Sequence, residues 1–274
     1  PEGTAVFSRL DWPAGLFPQE FTVVRDTLFF LTVPSPVRWA ICTSDGTPEG
    51  TVMIKEIRDS GYSYPGSLTA LGDTLLFVAD DIDHGKELWK SDGTEEGTGL
   101  LKDINPSGDS IETWLVACGD VVFFAADDGV HGEQLWKSDG TEAGTVMVKQ
   151  VVDWSGTFPG ELSDLTAVNG LLFFAASDGT YGRELWKSDG TEAGTVMVKD
   201  IDDRSPPHFF QGNGDPGDLT DLDGILYFTA NDGVHDYELW KSDGTETGTV
   251  MVKDIHPSHG STPFGFFCVV GGVY

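Results

Sequence analysis

Four side chains stand at one repeated place in this chain and could do chemistry there. His84, His131, Tyr181 and His235 each lie three residues before a Glu/Gln-Leu-Trp triplet. They belong to the segments DDIDHGKE (Asp80–Glu87), DDGVHGEQ (Asp127–Gln134), SDGTYGRE (Ser177–Glu184) and NDGVHDYE (Asn231–Glu238). An imidazole or phenol beside carboxylates can bond sugar hydroxyls, and a neutral imidazole can ligate a metal. Repetition spreads such groups over a symmetric frame, so they cannot converge on one ion. The arrangement they could build is one binding pocket per repeat or per interface between repeats. The competing role is local, an imidazole that caps its own hairpin.

A second set of candidates lies on the variable segments between repeats. Irregular loops over a rigid frame are where binding residues concentrate. Tyr64 sits in SGYSYPG (Ser60–Gly66), Trp154 in DWSGTFPG (Asp153–Gly160), and DWPAGLFPQ (Asp11–Gln19) is of the same kind. A Tyr/Phe-Pro-Gly element recurs among them and is partly structural. The insertion DDRSPPHFFQGNGDPG (Asp202–Gly217) has no counterpart, and it carries Arg204, His208, Phe209 and Phe210. Aromatic rings with Asp, Ser and Gly suit a carbohydrate or peptide site.

The elements that must position these residues follow from the repeat. SDGT starts at Ser44, Ser91, Ser138, Ser188 and Ser242, with spacings of 47, 47, 50 and 54 residues. A period of this size with several short apolar runs marks propellers and related arrays. One copy reads as four strands: Leu165–Val168, Leu171–Ala176, Arg183–Ser188 and Thr195–Ile201. Asn169-Gly170 joins the first two, and both residues tolerate the positive φ of a type I′ hairpin. The second strand is almost continuously apolar, as in LLFVA, VVFFAA and ILYFTA, which requires burial on both faces. The expected fold is all-β, one β-propeller domain over residues 1–274 built of four-stranded antiparallel blades. Pro1–Phe7 resembles an outer strand and Phe267–Tyr274 an inner strand, a Gly-Gly turn and the start of another. Six blades, the sixth incomplete, is the favoured count and five the second choice.

The residues that carry a family pattern are ELWKSDGT at Glu87–Thr94, Glu184–Thr191 and Glu238–Thr245, with Gln in place of Glu at Gln134–Thr141. The pattern resembles the bacterial ELWxxDGT repeat and covers nearly the whole chain. Ala40–Thr47 departs from it, with Cys42 where Trp is expected, so the first blade could be distorted or stand at a closure point. The resemblance implies a propeller within a large secreted or surface protein, and no single activity.

Within the repeat most eye-catching residues have a scaffold role. Asp45, Asp92, Asp139, Asp189 and Asp243 precede Gly, where a short carboxylate can accept bonds from backbone two residues on. Calcium binding would need several such oxygens together at about 2.3–2.6 Å; one carboxylate per turn argues against it, though carboxylates from adjacent blades could converge, so calcium is left open. Trp89, Trp136, Trp186 and Trp240 read as packing between blades. Lys90, Lys137, Lys187 and Lys241 are expected to meet the repeated acids. No nucleophile–base–orienter set, GxSxG or HExxH is present in the sequence.

Net charge narrows the partners. Asp and Glu total 45 against 16 Lys and Arg, a balance of −29. A chain this acidic lacks the basic face that nucleic acid demands, and an anionic membrane surface repels it. No apolar run is long enough to insert in a membrane. Three cysteines at non-equivalent places form neither a disulfide framework nor a zinc pattern. The reading from sequence is a non-catalytic, extracellular, lectin-like binding or adhesion module with no required cofactor, its partner a glycan or a surface protein. The alternatives are a structural spacer of a larger surface protein and a propeller hydrolase or lyase.

Overall fold

The computed structural model describes residues 18–35, 38–57, 65–112, 114–152, 162–203 and 214–255. Those residues form twenty strands in five four-stranded antiparallel sheets, and no helix. The first sheet holds β1 (Gln19–Val24), β2 (Thr27–Ser35), β3 (Arg38–Ser44) and β4 (Val52–Glu56). The second holds β5 (Gly66–Leu71), β6 (Thr74–Asp80), β7 (Lys86–Ser91) and β8 (Gly99–Lys102). The third holds β9 (Val116–Cys118), β10 (Val121–Asp127), β11 (Glu133–Ser138) and β12 (Val146–Lys149). The fourth holds β13 (Leu162–Val168), β14 (Leu171–Ser177), β15 (Arg183–Ser188) and β16 (Val196–Lys199). The fifth holds β17 (Gly217–Leu222), β18 (Ile225–Asn231), β19 (Tyr237–Ser242) and β20 (Val250–Lys253). In every sheet the strands pair in chain order, the meander of a propeller blade. Five complete blades are thus present; Pro1–Phe7 and Phe267–Tyr274, on which a sixth was expected, lie outside the described residues.

Contacts gather the chain into two compact units, residues 1–130 with 138–146, and residues 131–137 with 147–274. In the first unit, Phe29, Leu31 and Ile41 of the first blade pack on Leu75, Phe77, Ala79 and Trp89 of the second. The second unit repeats this register, with Phe173, Leu185 and Val198 of the fourth blade against Leu226, Phe228, Ala230 and Trp240 of the fifth. Both faces of the second strand are therefore buried, which is why it is apolar without alternation. Trp89, Trp186 and Trp240 each lie across their own sheet from a Phe, with centroids 6.2 Å apart for Phe77–Trp89, 6.4 Å for Phe174–Trp186 and 6.5 Å for Phe228–Trp240. The first blade is complete despite Cys42, which is fully buried and pairs with Phe30 on β2 and Met53 on β4.

The hairpin turns follow their sequence. Asn169 and Gly170 both take positive φ, 50° and 77°, and Val168 pairs with Leu171. The outer strand is shorter than expected, ending at Lys199 rather than Ile201. The register slips between Leu185 and Trp186, and the Ile201 N–H bonds to the Glu184 side chain at 2.9 Å instead of continuing the ladder.

The SDGT turn closes on itself through one more repeated pair, making the unit Ser-Asp-Gly-Thr-x-x-Gly-Thr. Asp189 Oδ1 accepts the Thr191 N–H at 2.8 Å and its hydroxyl at 2.7 Å. Ser188 and Thr195 hydroxyls meet at 2.8 Å, and the Thr195 hydroxyl donates to the Thr191 carbonyl at 2.7 Å. A Cβ at Gly194 would fall 2.0 Å from the Asp189 carboxylate, so only glycine fits there. The same bonds recur at Asp45, Asp92 and Asp243.

Lysines on the outer strands tie each blade to the next. Within the first unit Lys55 donates to the Thr98 carbonyl at 2.7 Å and Lys102 to that of Thr145 at 2.8 Å. Within the second, Lys149 donates to Thr195 and Lys199 to Thr249, at 2.8 and 2.9 Å. The lysine after Trp makes a parallel bond, Lys137 to the Gly190 carbonyl at 2.8 Å and Lys187 to that of Gly244 at 2.7 Å. These two lysines were expected to meet acids. Their direct acceptor is a turn carbonyl, with Asp189 and Asp243 close enough to feel the charge.

Candidate functional site

The hairpins between the second and third strands are organised by the Asp that precedes the tip. Asp81 Oδ1 accepts the Asp83 and His84 N–H groups at 3.1 and 3.0 Å, and its Oδ2 lies 2.9 Å from His84 Nδ1. Asp232 repeats the pattern, accepting Val234 and His235 N–H at 2.9 Å and pairing with His235 Nδ1 at 2.8 Å. Asp178 accepts the Thr180 and Tyr181 N–H groups, and the Tyr181 ring stays exposed. The His131 carbonyl accepts the Gln134 amide at 3.0 Å. The bond to Asp raises the pKa of both His84 and His235 above the ordinary histidine value. The His–Asp pairs thus close their own hairpins, the local role that competed with one binding pocket per repeat or per interface.

Tyr64, Trp154, Arg204, His208, Phe209 and Phe210 lie outside the described residues. The base of the insertion that carries the last four is described, and its contacts differ from those of the second blade. Glu184 is fully buried; its two oxygens accept the N–H of Ile201 at 2.9 Å and of Gly214 at 2.8 Å. Arg183, next to it on β15, donates to Asp215 Oδ1 and to the Pro216 carbonyl, both at 2.8 Å. Its other amino group reaches Asp164 Oδ2 at 2.8 Å and the Ser163 hydroxyl. Tyr237 donates its phenol to Asp215 Oδ2 at 2.5 Å, and that bond, with burial, pushes the phenol up to about 12.

Sequence reasoning passed over this cluster. The position before Glu/Gln-Leu-Trp reads Lys86, Glu133, Arg183 and Tyr237, a break in an otherwise regular motif that was the available signal. The second blade uses the same place differently. The Lys86 ammonium pairs with Glu112, and its carbonyl accepts the Ser110 N–H at 3.0 Å. Trp114, two residues past Glu112, is 72% exposed and was likewise not singled out.

The buried acid recurs. Glu87 accepts Ile104 N–H at 2.8 Å, Asn105 N–H at 3.1 Å and the Ser110 hydroxyl at 2.7 Å. Burial nevertheless pushes its carboxyl up to about 7, and that of Glu184 to about 8. In the third blade Gln134 does the same work, its Oε1 accepting Val151 and Val152 N–H at 2.8 and 3.0 Å while its amide donates to the Val152 carbonyl at 2.9 Å. Among the described residues no three His, Cys, Asp or Glu side chains are placed to hold a metal ion. The cluster's chemistry is positional. Arg183 and Glu184 hold Ile201 on one side of the insertion and Gly214, Asp215 and Pro216 on the other.

No protein-family model matches the chain, and no curated protein matches it. Solved structures do. Puromycin hydrolase aligns over 90% of this chain and 40% of its own, with 16% identity and a TM-score of 0.51. A mutant of that enzyme complexed with PGG gives 16%, the same coverage and 0.52. Prolyl oligopeptidase B from Galerina marginata covers 83% of this chain and 32% of its own, at 13% identity and 0.48. The likeness is one of fold, and the chain spans about 40% of the length of the puromycin hydrolase it overlays. The expectation of a non-catalytic lectin-like adhesion module is corrected by these findings. The fold with a TM-score above 0.5 is that of puromycin hydrolase, a hydrolase by name, and of its mutant.

Proposed function

We propose that this chain is the β-propeller part of a larger hydrolase acting on peptide-like amides, with bond cleavage performed by residues outside the propeller. The observation that carries the reading is the overlay of 90% of the chain on 40% of puromycin hydrolase. The inter-blade lysines and the buried Glu/Gln clamps support it, since they build a frame that holds blade-specific loops in place. The propeller then screens and orients substrate through the loops between blades, the insertion after Asp203 foremost. The test is hydrolysis of puromycin and of a fluorogenic aminoacyl amide by the longer protein that contains this chain. The expected result is turnover by that protein and none by residues 1–274 alone, with KM rising when residues 204–213 are deleted. Absence of turnover by the longer protein on either amide overturns the reading.

A second reading, a rigid spacer in a larger surface protein, is favoured by one observation. The aspartates of the SDGT turns are engaged within their own turns, and the Gly190 and Gly244 carbonyls by lysines of the neighbouring blade. Under that reading, deleting residues 204–213 changes no ligand or substrate constant.

A further inference from the structure

The first blade lacks one side chain that the third and fourth blades use to hold their neighbour. Lys137 and Lys187 stand directly before the SDGT serine and donate to the turn carbonyls of Gly190 and Gly244, at 2.8 and 2.7 Å. At the same register the first blade has Thr43, which pairs with Phe29 as Lys187 pairs with Phe173. Gly93 is the equivalent of Gly190 and Gly244, and among the described residues its carbonyl receives no lysine.

The surroundings of the turn glycine differ between Gly244 and Gly93. A Cβ at Gly244 would meet Phe173 Cζ at 3.1 Å and the Lys187 Cδ at 3.9 Å. A Cβ at Gly93 would meet Phe29 Cζ at 3.4 Å and nothing else within 4 Å. Where the lysine would run there is a cavity of about 300 Å³, lined by Val24, Phe29, Thr43, Asp45, Asp92 and Gly93 among others. That is the lower end of the size of small-molecule pockets, about 300–1,000 Å³.

Charge in the cavity matches what is missing. Asp45 and Asp92 are held ionised, their pKa lowered first by the Thr47 and Thr94 hydroxyls and then by the same residues' N–H groups. Asp189 and Asp243 each feel the lysine of the preceding blade, Lys137 and Lys187; Asp92 feels only Lys90 of its own blade. Arg25 also lines the cavity, but its guanidinium is paired with Asp73 through two bonds. Phe29 and Val24 supply an apolar wall for a hydrocarbon stem, and Gly93 and Asp92 the acceptors at its end.

We propose that this cavity is a binding site for a primary alkylammonium group, the head and stem of a lysine side chain supplied from outside the chain. The ammonium bonds the Gly93 carbonyl and faces Asp92, as Lys187 does at Gly244 and Asp243. Any ligand that binds only the folded state raises its melting temperature by mass action. The probes are n-butylammonium chloride, with n-butanol and sodium chloride at matched concentration as controls. Nα-acetyl-lysine amide, run alongside, shows whether the group is better accepted free or on a peptide.

The expected result is a dose-dependent rise in melting temperature with butylammonium that neither control gives. Thr43→Lys should raise the melting temperature without ligand and abolish the butylammonium shift, while Thr43→Met should raise it less. A shift that persists in Thr43→Lys would mean binding elsewhere on the acidic surface and overturns the site. Amide chemical shifts read the unaltered chain independently. Perturbation by butylammonium centred on Thr43, Gly93 and Thr94 supports the proposal, and perturbation confined to other residues overturns it.

Discussion

Glu184 holds Gly214 across thirty residues of sequence. Its Oε1 accepts the Gly214 N–H at 2.8 Å while Oε2 accepts that of Ile201 at 2.9 Å. A buried backbone N–H without an acceptor costs about 1–3 kcal/mol, so a carboxylate here satisfies groups that the shortened β16 leaves behind. It also links the ends of the described chain on either side of residues 204–213. A Cβ at Gly214 would come within 2.4 Å of Glu184 Oε2, so the close approach depends on glycine.

This clamp has a pH signature. Burial pushes Glu184 up to about 8 and Glu87 to about 7, against an ordinary value of 4.5. A carboxyl whose folded pKa is raised contributes stability that is fully present below pH 4.5 and is lost as pH rises through the folded value. Unfolding by denaturant should therefore show falling stability from pH 5 to 8.5. Glu184→Gln should flatten the upper part of that fall, because Gln134 already performs the same bonding in the third blade. Glu184→Ala should instead cost about 1–3 kcal/mol at every pH by orphaning the Ile201 and Gly214 N–H groups. An unchanged pH slope in Glu184→Gln would remove Glu184 as its source.

The second glycine of each turn is a steric requirement. A Cβ at Gly194 would lie 2.0 Å from Asp189 Oδ1. Gly194→Ala should destabilise by about 1–3 kcal/mol, the range for overpacking. Asp189→Ala loses the bonds to Thr191 but opens the space. The double variant should then be clearly less destabilised than the sum of the two singles, the mark of residues in contact. Additive losses in a thermal or urea unfolding series would place the strain elsewhere.

The blade was readable because its signals are local and repeated. Asn169-Gly170, the apolar run Leu171–Ala176 and the SDGT turns each state their own geometry, and four repetitions average out the exceptions. The clamps were hidden because their partners are distant backbone groups. Nothing in Glu184 itself says that it will accept Gly214 rather than meet a lysine. Lys137 and Lys187 were misassigned for the same reason, as their acceptors are carbonyls of the next blade. The Arg183–Asp215–Tyr237 cluster combines three segments whose proximity only the folded second unit supplies. Thr43 was visible in the sequence as a departure from ELWKS, but the space it leaves exists only once the first two blades are packed.

The outer lysines offer a direct measure of how firmly one blade holds the next. Lys149 and Lys199 donate to Thr195 and Thr249 carbonyls and also stand 6.0 and 5.9 Å from the rings of Trp186 and Trp240. Lys199→Met keeps the stem and removes the charge. It should cost about 2–4 kcal/mol, the sum of one charged hydrogen bond and a modest cation–π term. The loss should appear as a lower melting temperature and, in hydrogen exchange, as weakened protection in β20 and its turn. Loss of protection spread evenly over both units would instead make the lysine part of a global network.

The hairpin histidines are the last point at which structure and titration can be compared. Asp81 and Asp232 raise the pKa of His84 and His235, chiefly through the hydrogen bond and secondarily through charge. A raised histidine contributes stability that is fully present below 6.5 and is lost as pH rises through its folded pKa. Both imidazoles are largely in water, so the readout is the titration itself rather than unfolding. NMR should find both above the ordinary value, and Asp232→Asn should return His235 to that value while leaving His84 unmoved. If instead both histidines shift together, the acidic surface as a whole sets their charge, and the individual Asp–His pairs do not.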